Sequence, residues 1–125
     1  MAQQDDERSR LVRLEDFEGE LEETWQEAQG LKVFDKSGDE VGTVEDLYIY
    51  EDAEAVHLIK VEVEGSYVLI PVDAARSASE DGVELEQDKG TIAASPEHHS
   101  NDVPDAETSR KAYEHFGYPD QLALG

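Results

Sequence analysis

The sequence predicts a mainly β domain with short helices at both ends. Between Leu31 and Ala94, valine, isoleucine, leucine and tyrosine occur in short runs separated by turn residues, which is the pattern of consecutive strands. The flanking segments hold fewer β-branched residues. Apolar residues grouped in this way can form one buried core, so we expect a folded domain despite a mean hydropathy of −0.67. The expected units are an arm (1–29), a β domain (30–96), and a linker with a C-terminal helix (97–125).

The acidic N-terminal arm is expected to be partly helical. Its apolar residues recur at spacings of three and four, which places them on one helix face. They are Leu11, Leu14, Phe17, Leu21, Trp25 and Ala28. Gly19 weakens such a helix by about 1 kcal/mol relative to alanine, and Gly30 is suited to end it. Two interpretations stay open: the stripe packs on the strands of this chain, or it docks on a partner or a second copy.

The first two strands flank a glycine-containing turn. Leu31–Phe34 is short and apolar, and residues 35–40 have the composition of a turn in which Gly38 is free to take a positive φ. The second strand is expected from Val41 to Tyr50. Gly42 lies inside it, which indicates a bulge, a bend or a close approach of another backbone.

The second strand also carries the first candidate interaction surface. Leu47 and Ile49 share one face, so Tyr48 and Tyr50 lie on the other. Aromatic side chains rimmed by charge are typical of protein-binding patches. The candidate surface residues are Trp25, Tyr48, Tyr50 and Tyr67. The alternative, that these aromatics pack beneath the terminal helices, stays open.

Further strands follow. The third, Ala55 to Val63, changes its apolar phase near Leu58, which indicates a bulge or burial on both faces. Residues 64–66 form a tight hairpin turn. The fourth strand runs from Tyr67 to Pro71, which ends it or lies at an edge because proline lacks an N–H. Residues 73–82 are expected to be a polar loop. A fifth strand covers 83–86, and a sixth is expected at 91–93.

The C-terminal segment is expected to hold one helix after a linker over residues 95–104. Either Pro104 or Asp105 begins it, and Asp105 and Glu107 are favourable there because acidic residues stabilise the N-terminal end of a helix. The helix ends near Phe116, with Gly117 and then Pro119 in the order usual for a helix C-terminus.

The segment from Val33 to Ile49 resembles the opening hairpin of PRC-barrel domains. An apolar pair and an aspartate precede a glycine turn, and the pattern hydrophobic-Gly-x-Val-x-Asp-hydrophobic follows; a later strand ends in Ile70-Pro71-Val72. The motif positions are Asp35, Gly38, Gly42, Asp46 and Pro71. The resemblance implies a small barrel of five or six strands, closed or nearly closed, and a non-catalytic role. Relatives include the cytoplasmic domain of the photosynthetic reaction-centre H subunit and a ribosome-maturation factor.

Charge excludes several classes of partner. The chain has 32 acidic and 10 basic residues, a formal charge of −22. Nucleic acids and anionic membrane surfaces are bound through Lys and Arg, so we expect neither as a direct partner. The chain has no Cys and no apolar run of the roughly 20 residues a membrane helix needs. We therefore expect a cytoplasmic protein with an acidic, salt-tolerant surface.

No motif predicts catalysis, a cofactor or a metal site. His98 and His99 lie in the expected linker, where adjacent side chains rarely converge on one ion. His57 is expected in a strand and His115 in the C-terminal helix. Residues 35–40 lack the ligand spacing of an EF-hand loop. There is no nucleophile elbow and no glycine-rich phosphate loop.

The sequence therefore favours a non-enzymatic interaction or assembly module, and we expect it to form homo-oligomers. Small sheets leave edges that other chains can cover. Two alternatives stay open. One is an accessory protein that binds a cation or a small ligand, and the other is a ribosome- or RNA-linked factor that acts through a basic protein partner.

Overall fold

The computed structural model describes residues 11–51, 54–100 and 102–118, which form one mixed sheet with three short helices. The strands are β1 (Leu11–Arg13), β2 (Lys32–Phe34), β3 (Glu40–Tyr50), β4 (Ala55–Val63), β5 (Ser66–Pro71), β6 (Ala75–Ser79) and β7 (Gly82–Leu85). The helices are α1 (Glu23–Gln26), α2 (Lys89–Ala93) and α3 (Ala106–Phe116). Short 3₁₀ turns lie at Leu14–Asp16 and Val72–Ala74. The predicted mainly β class is confirmed.

The long strand β3 organises the sheet. Its N-terminal part pairs with β2 and its C-terminal part with β1 along one edge, while β4 covers the other edge. The full order is β5-β4-β3-β2-β7-β6, antiparallel except for the parallel pair β2 and β7. The described sheet thus has seven strands rather than five or six, and it is not closed, because β5 and β6 are its two ends.

The hairpin and the phase change are both observed. Val63 pairs with Ser66, and both central turn residues have a positive φ, 52° at Glu64 and 88° at Gly65, which is the geometry of a two-residue hairpin. The pairing of β3 with β4 has a bulge at His57, which the register skips and which lies next to Leu58, where the sequence predicted a bulge. β4 is also buried on both faces over most of its length, so both of the readings offered by the sequence hold.

Two apolar clusters lie on opposite faces of the sheet. The main core contains Leu47 and Ile49 of β3, Val33 of β2, and Val83 and Leu85 of β7. The second cluster comprises Tyr48, Leu58, Leu69, Ala112 and Tyr113. Because the last two belong to α3, this helix covers the outer face of β3, β4 and β5.

The helix expected from Leu11 to Ala28 is wrong over most of its length. Residues 11–13 form β1, paired with Tyr48–Tyr50, and only Glu23–Gln26 form an α-helix. The edge of β3 beyond β2 offers unpaired backbone groups, and pairing there satisfies more of them than an isolated helix would. The apolar spacing reflects packing and not one continuous helix. Leu14, Phe17, Leu21 and Trp25 are partly buried against the main core, from a 3₁₀ turn, irregular segments and the short helix α1.

Two further predictions fail between β5 and α3. The expected loop contains β6, although its Ala-Arg-Ser-Ala-Ser sequence has little strand propensity, because pairing with β7 overrides local preference. The strand expected at 91–93 lies in α2, whose N-cap Asp88 accepts the Thr91 N–H at 2.8 Å. The side-chain acceptor at the N-cap favours a helical turn over a strand.

The predicted C-terminal helix is confirmed as α3. The Asp105 carboxylate accepts the N–H of Thr108 at 2.8 Å, and Gly117 ends the helix with φ of 81°. Pro119, expected just beyond the helix end, lies outside the described residues, as do residues 1–10, 52–53, 101 and 120–125. Among the described residues, no helix is long and apolar enough to span a membrane.

Candidate functional site

The predicted aromatic strip on β3 faces away from the main core but is covered. Tyr48 and Tyr50 are only 0% and 3% exposed, so the expectation that they form an open patch is wrong in this structure. Packing beneath a terminal helix, the alternative reading, is what is observed. Burial raises the pKa of the Tyr48 hydroxyl to about 12.

A buried tyrosine–histidine stack anchors α3 on β4. The Tyr113 ring stacks on the His57 ring with centroids 4.7 Å apart, and Tyr50 lies on His57 at 4.4 Å. The Tyr113 hydroxyl donates to the His57 carbonyl oxygen at 2.8 Å and lies 3.0 Å from Nδ1. His57 is thus a packing residue within the fold, and it lies in a strand, as predicted.

The free side of β5 is covered by the segment after α2. The Leu69 N–H donates to the Pro96 carbonyl at 2.9 Å and the His98 N–H to the Tyr67 carbonyl at 2.9 Å. The half-buried ring of Tyr67 lies under Lys60 Nζ at 5.1 Å. Pro71 is the last residue of β5, as predicted. This end of the sheet is therefore occupied by the chain itself.

The motif aspartate of the first turn has a structural role. Asp35 is buried, and its carboxylate accepts the N–H groups of Ser37 and Asp39 at 2.9 and 3.0 Å. Gly38 takes φ of 88°, a conformation that glycine adopts without strain. These bonds fix the turn between β2 and β3.

The two motif residues in β3 are Gly42, which another backbone approaches closely, and Asp46, whose carboxylate is hydrogen-bonded. A Cβ at Gly42 would lie 2.0 Å from the carbonyl oxygen of Glu62, which confirms the close backbone approach. Asp46 accepts the N–H of Leu47 at 2.8 Å. Burial raises the pKa of Asp46, and the bond from Leu47 and the charge of Arg13 oppose that shift.

Three surface concavities lie around α1 in the described part of the chain. Grooves of about 570, 380 and 350 Å³ lie on both sides of α1, and the first two share Trp25, Glu22 and Val72. Together we call them the α1 groove. Trp25 lies between β4 and β6, with Val56 of β4 in the groove on one side and Ala78 of β6 in the groove on the other. Of the four predicted surface aromatics, Trp25 alone lines this groove.

The histidines of the linker make local contacts. His98 Nε2 lies 2.6 Å from the Asp102 carbonyl oxygen, and His99 Nε2 lies 2.9 Å from the Glu97 carboxylate. His115 contacts the Thr91 carbonyl oxygen at 2.9 Å. Among the described residues, no group of three or more histidine and carboxylate side chains is placed to hold a metal ion.

The family model of the PRC-barrel domain matches residues 21–98, more than half of the chain. The chain belongs to the PRC-barrel family. PRC-barrel domains are in general non-catalytic interaction modules. No curated protein sequence matches the chain.

One strand and one helix lie beyond the matched PRC-barrel segment, and the helix was predicted from the sequence whereas the strand was not. β1 precedes residue 21 and α3 follows residue 98. The anchor of α3 joins Tyr113 to His57, which lies 56 residues away in sequence, so no local pattern indicates this contact. The α1 groove was also missed, because it depends on β6, which the sequence did not predict.

Proposed function

We propose that this PRC-barrel protein is a non-enzymatic assembly module that binds other protein chains, including copies of itself. The proposal includes a cytoplasmic location and an acidic surface adapted to high ionic strength. PRC-barrel domains are in general non-catalytic interaction modules, and the proposal adds self-association, location and salt adaptation for this chain.

The main support for the proposal is that the outer edge of one end strand of the sheet is covered by the chain and that of the other is not. Residues 96–98 cover β5, whereas β6 pairs only with β7 among the described residues. An uncovered strand edge presents N–H and C=O groups that another chain can pair with. β6 thus offers a place for assembly that β5 does not.

Light scattering across protein concentrations tests self-association. The charge of −22 opposes contact between copies, and screening shortens the Debye length to about 3 Å at 1 M salt. We expect the average mass to rise with concentration, and more steeply in molar NaCl than in dilute buffer.

Two matched variants locate the contact. Ser77→Glu adds a charge on the exposed part of β6, and Ala106→Glu adds one at the exposed start of α3. We expect the first to reduce association and the second to leave it unchanged. A wild-type chain that stays monomeric at every concentration and salt level would remove self-association. If cross-linking in a source lysate also yields no protein partner, the assembly role fails altogether.

A further inference from the structure

The outer edge of β6 runs beside the α1 groove. Ala75, Ser77 and Ala78 of β6 line one part of the groove, and Ser79 lines another. The facing wall is α1, with Glu23 and Thr24 lining both parts. A five-residue strand is about 17 Å long, so the groove and the strand edge offer a site for a short extended segment.

Trp25 and Val72 are apolar lining residues of two parts of the groove, and exposed carboxylates form an acidic rim around all three parts. Trp25 and Val72 are partly buried and pack on the main core. Among the described residues, seven exposed carboxylates and no Lys or Arg line the three parts of the groove: Glu20, Glu22, Glu23, Glu27, Glu54, Asp73 and Glu80. Arg76 of β6 does not line the groove, and its Nη2 lies 3.4 Å from the carboxylate of Glu84.

We propose that the α1 groove binds an extended lysine- or arginine-containing segment of a partner protein, which pairs with β6 as an added strand. Backbone hydrogen bonds to β6 would supply the pairing, and alternate side chains would reach the groove. Basic side chains would meet the carboxylate rim, and one can lie on the Trp25 ring as a cation–π contact. This inference rests on the proposed assembly role and names its partner.

Charge favours a basic partner over a second copy at this edge. Two copies that paired β6 with β6 would bring two acidic rims together, since the segment carries the same residues in each. Like charges placed opposite each other oppose association, whereas complementary potentials accelerate it and select the partner. In dilute buffer a second copy therefore fits this groove less well than a basic segment does, and association of two copies through β6 needs the screening of molar salt.

Trp25 makes the test direct, because it is the only tryptophan of the chain. The probe is a peptide of alternating lysine and valine as long as β6, added while Trp25 emission is followed. Matched probes replace lysine by glutamate, or carry a methyl group on every backbone nitrogen with the charge unchanged. We expect saturable binding of the first peptide, weaker at high salt, and no binding of the other two.

Paired variants separate groove charge from overall charge. Glu22→Gln with Glu23→Gln removes two rim charges, and Glu107→Gln with Glu114→Gln removes two exposed charges on α3. We expect the rim pair to weaken peptide binding about fivefold, the scale of two exposed ion pairs, and the α3 pair to leave it unchanged. Thermal unfolding of both double variants checks that they fold.

The outcomes distinguish the inference from the function on which it rests. Equal binding of the methylated peptide, or equal weakening by both double variants, overturns the strand-addition site. A peptide that leaves Trp25 emission unchanged, while the chain still assembles with itself or a lysate partner, overturns the inference and leaves the assembly role standing. Failure of all association overturns both.

Discussion

The backbone carbonyl oxygen of Glu62 leaves no room for a side chain at Gly42. A Cβ there would lie 2.0 Å from the Glu62 carbonyl oxygen, which belongs to the paired strand and cannot move without distorting the pairing. We expect Gly42→Ala to lower the free energy of unfolding by about 1–3 kcal/mol, the usual cost of overpacking. Urea unfolding measures it.

Gly90 provides the matched control for that substitution. A Cβ there meets its nearest atom at 3.7 Å, an ordinary contact, and Gly90 lies in α2. Alanine has the higher helix propensity, so we expect Gly90→Ala to leave stability unchanged or to raise it. Equal losses at both positions would contradict the close approach at Gly42.

Loss of the hydroxyl group is expected to change the free energy of unfolding differently at Tyr48 and Tyr113, the two tyrosines of the second cluster. Tyr113 donates to the His57 carbonyl oxygen, whereas the buried hydroxyl of Tyr48 has no hydrogen-bond partner among the described residues. Tyr113→Phe leaves a buried acceptor short of its donor and is expected to cost about 1–3 kcal/mol. Tyr48→Phe removes a buried polar group and is expected to be neutral or stabilising. Equal costs in urea unfolding would contradict this assignment.

Residue-level features were predictable from the sequence where they are local. Asp35 and Gly38 act within one turn, and Gly42 was marked by being a glycine inside a strand. The covering of Tyr48 and Tyr50 depends on α3, which is distant in sequence. Alternation alone gives the face of a strand and not what lies on that face.

The α3 helix depends on its N-cap, and this gives stability a pH dependence. Hydrogen bonds from Thr108 hold the pKa of Asp105 below its usual value. A carboxylate with a lowered pKa stabilises the fold above its unfolded-state pKa and loses that contribution as pH falls through the folded-state pKa. Stability therefore drops in the acid range at this helix end.

Asp105→Asn tests that dependence, because asparagine caps helices as well as aspartate does but does not titrate. We expect the melting temperature of the wild type, relative to that of the variant, to be higher at pH 6 than at pH 3. Asp81→Asn, in an exposed turn, is the control. A difference between wild type and Asp105→Asn that stays constant with pH would exclude the capping carboxylate as its source.

Elements with strong local signals were predictable, and those created by pairing were not. β3, β4 and β5 carry β-branched runs, and α3 has both of its end signals. β1 and β6 have neither; they are strands because β3 and β7 offer edges to them. The apolar residues of the arm pack from a strand, a 3₁₀ turn, irregular segments and the four-residue helix α1. Their spacing therefore indicated burial correctly and one continuous helix wrongly.

Charge acts at the level of the whole molecule. The formal charge of −22 surrounds an apolar core, so self-repulsion opposes the compact state at low ionic strength. We expect the melting temperature to rise from dilute buffer to molar NaCl as screening increases. A flat or falling melting temperature would contradict salt adaptation of the surface.

Hydrogen exchange along β6 tests the central claim of an available strand edge most directly. In the free protein, some amides of Ala75–Ser79 should exchange faster than those of β3 and β4, since β6 is paired on one side only among the described residues. Addition of the lysine–valine peptide should slow exchange within β6 and leave α3 unchanged. Protection that falls on α3 or β5 instead, or uniform slow exchange of β6 before any peptide is added, would contradict it.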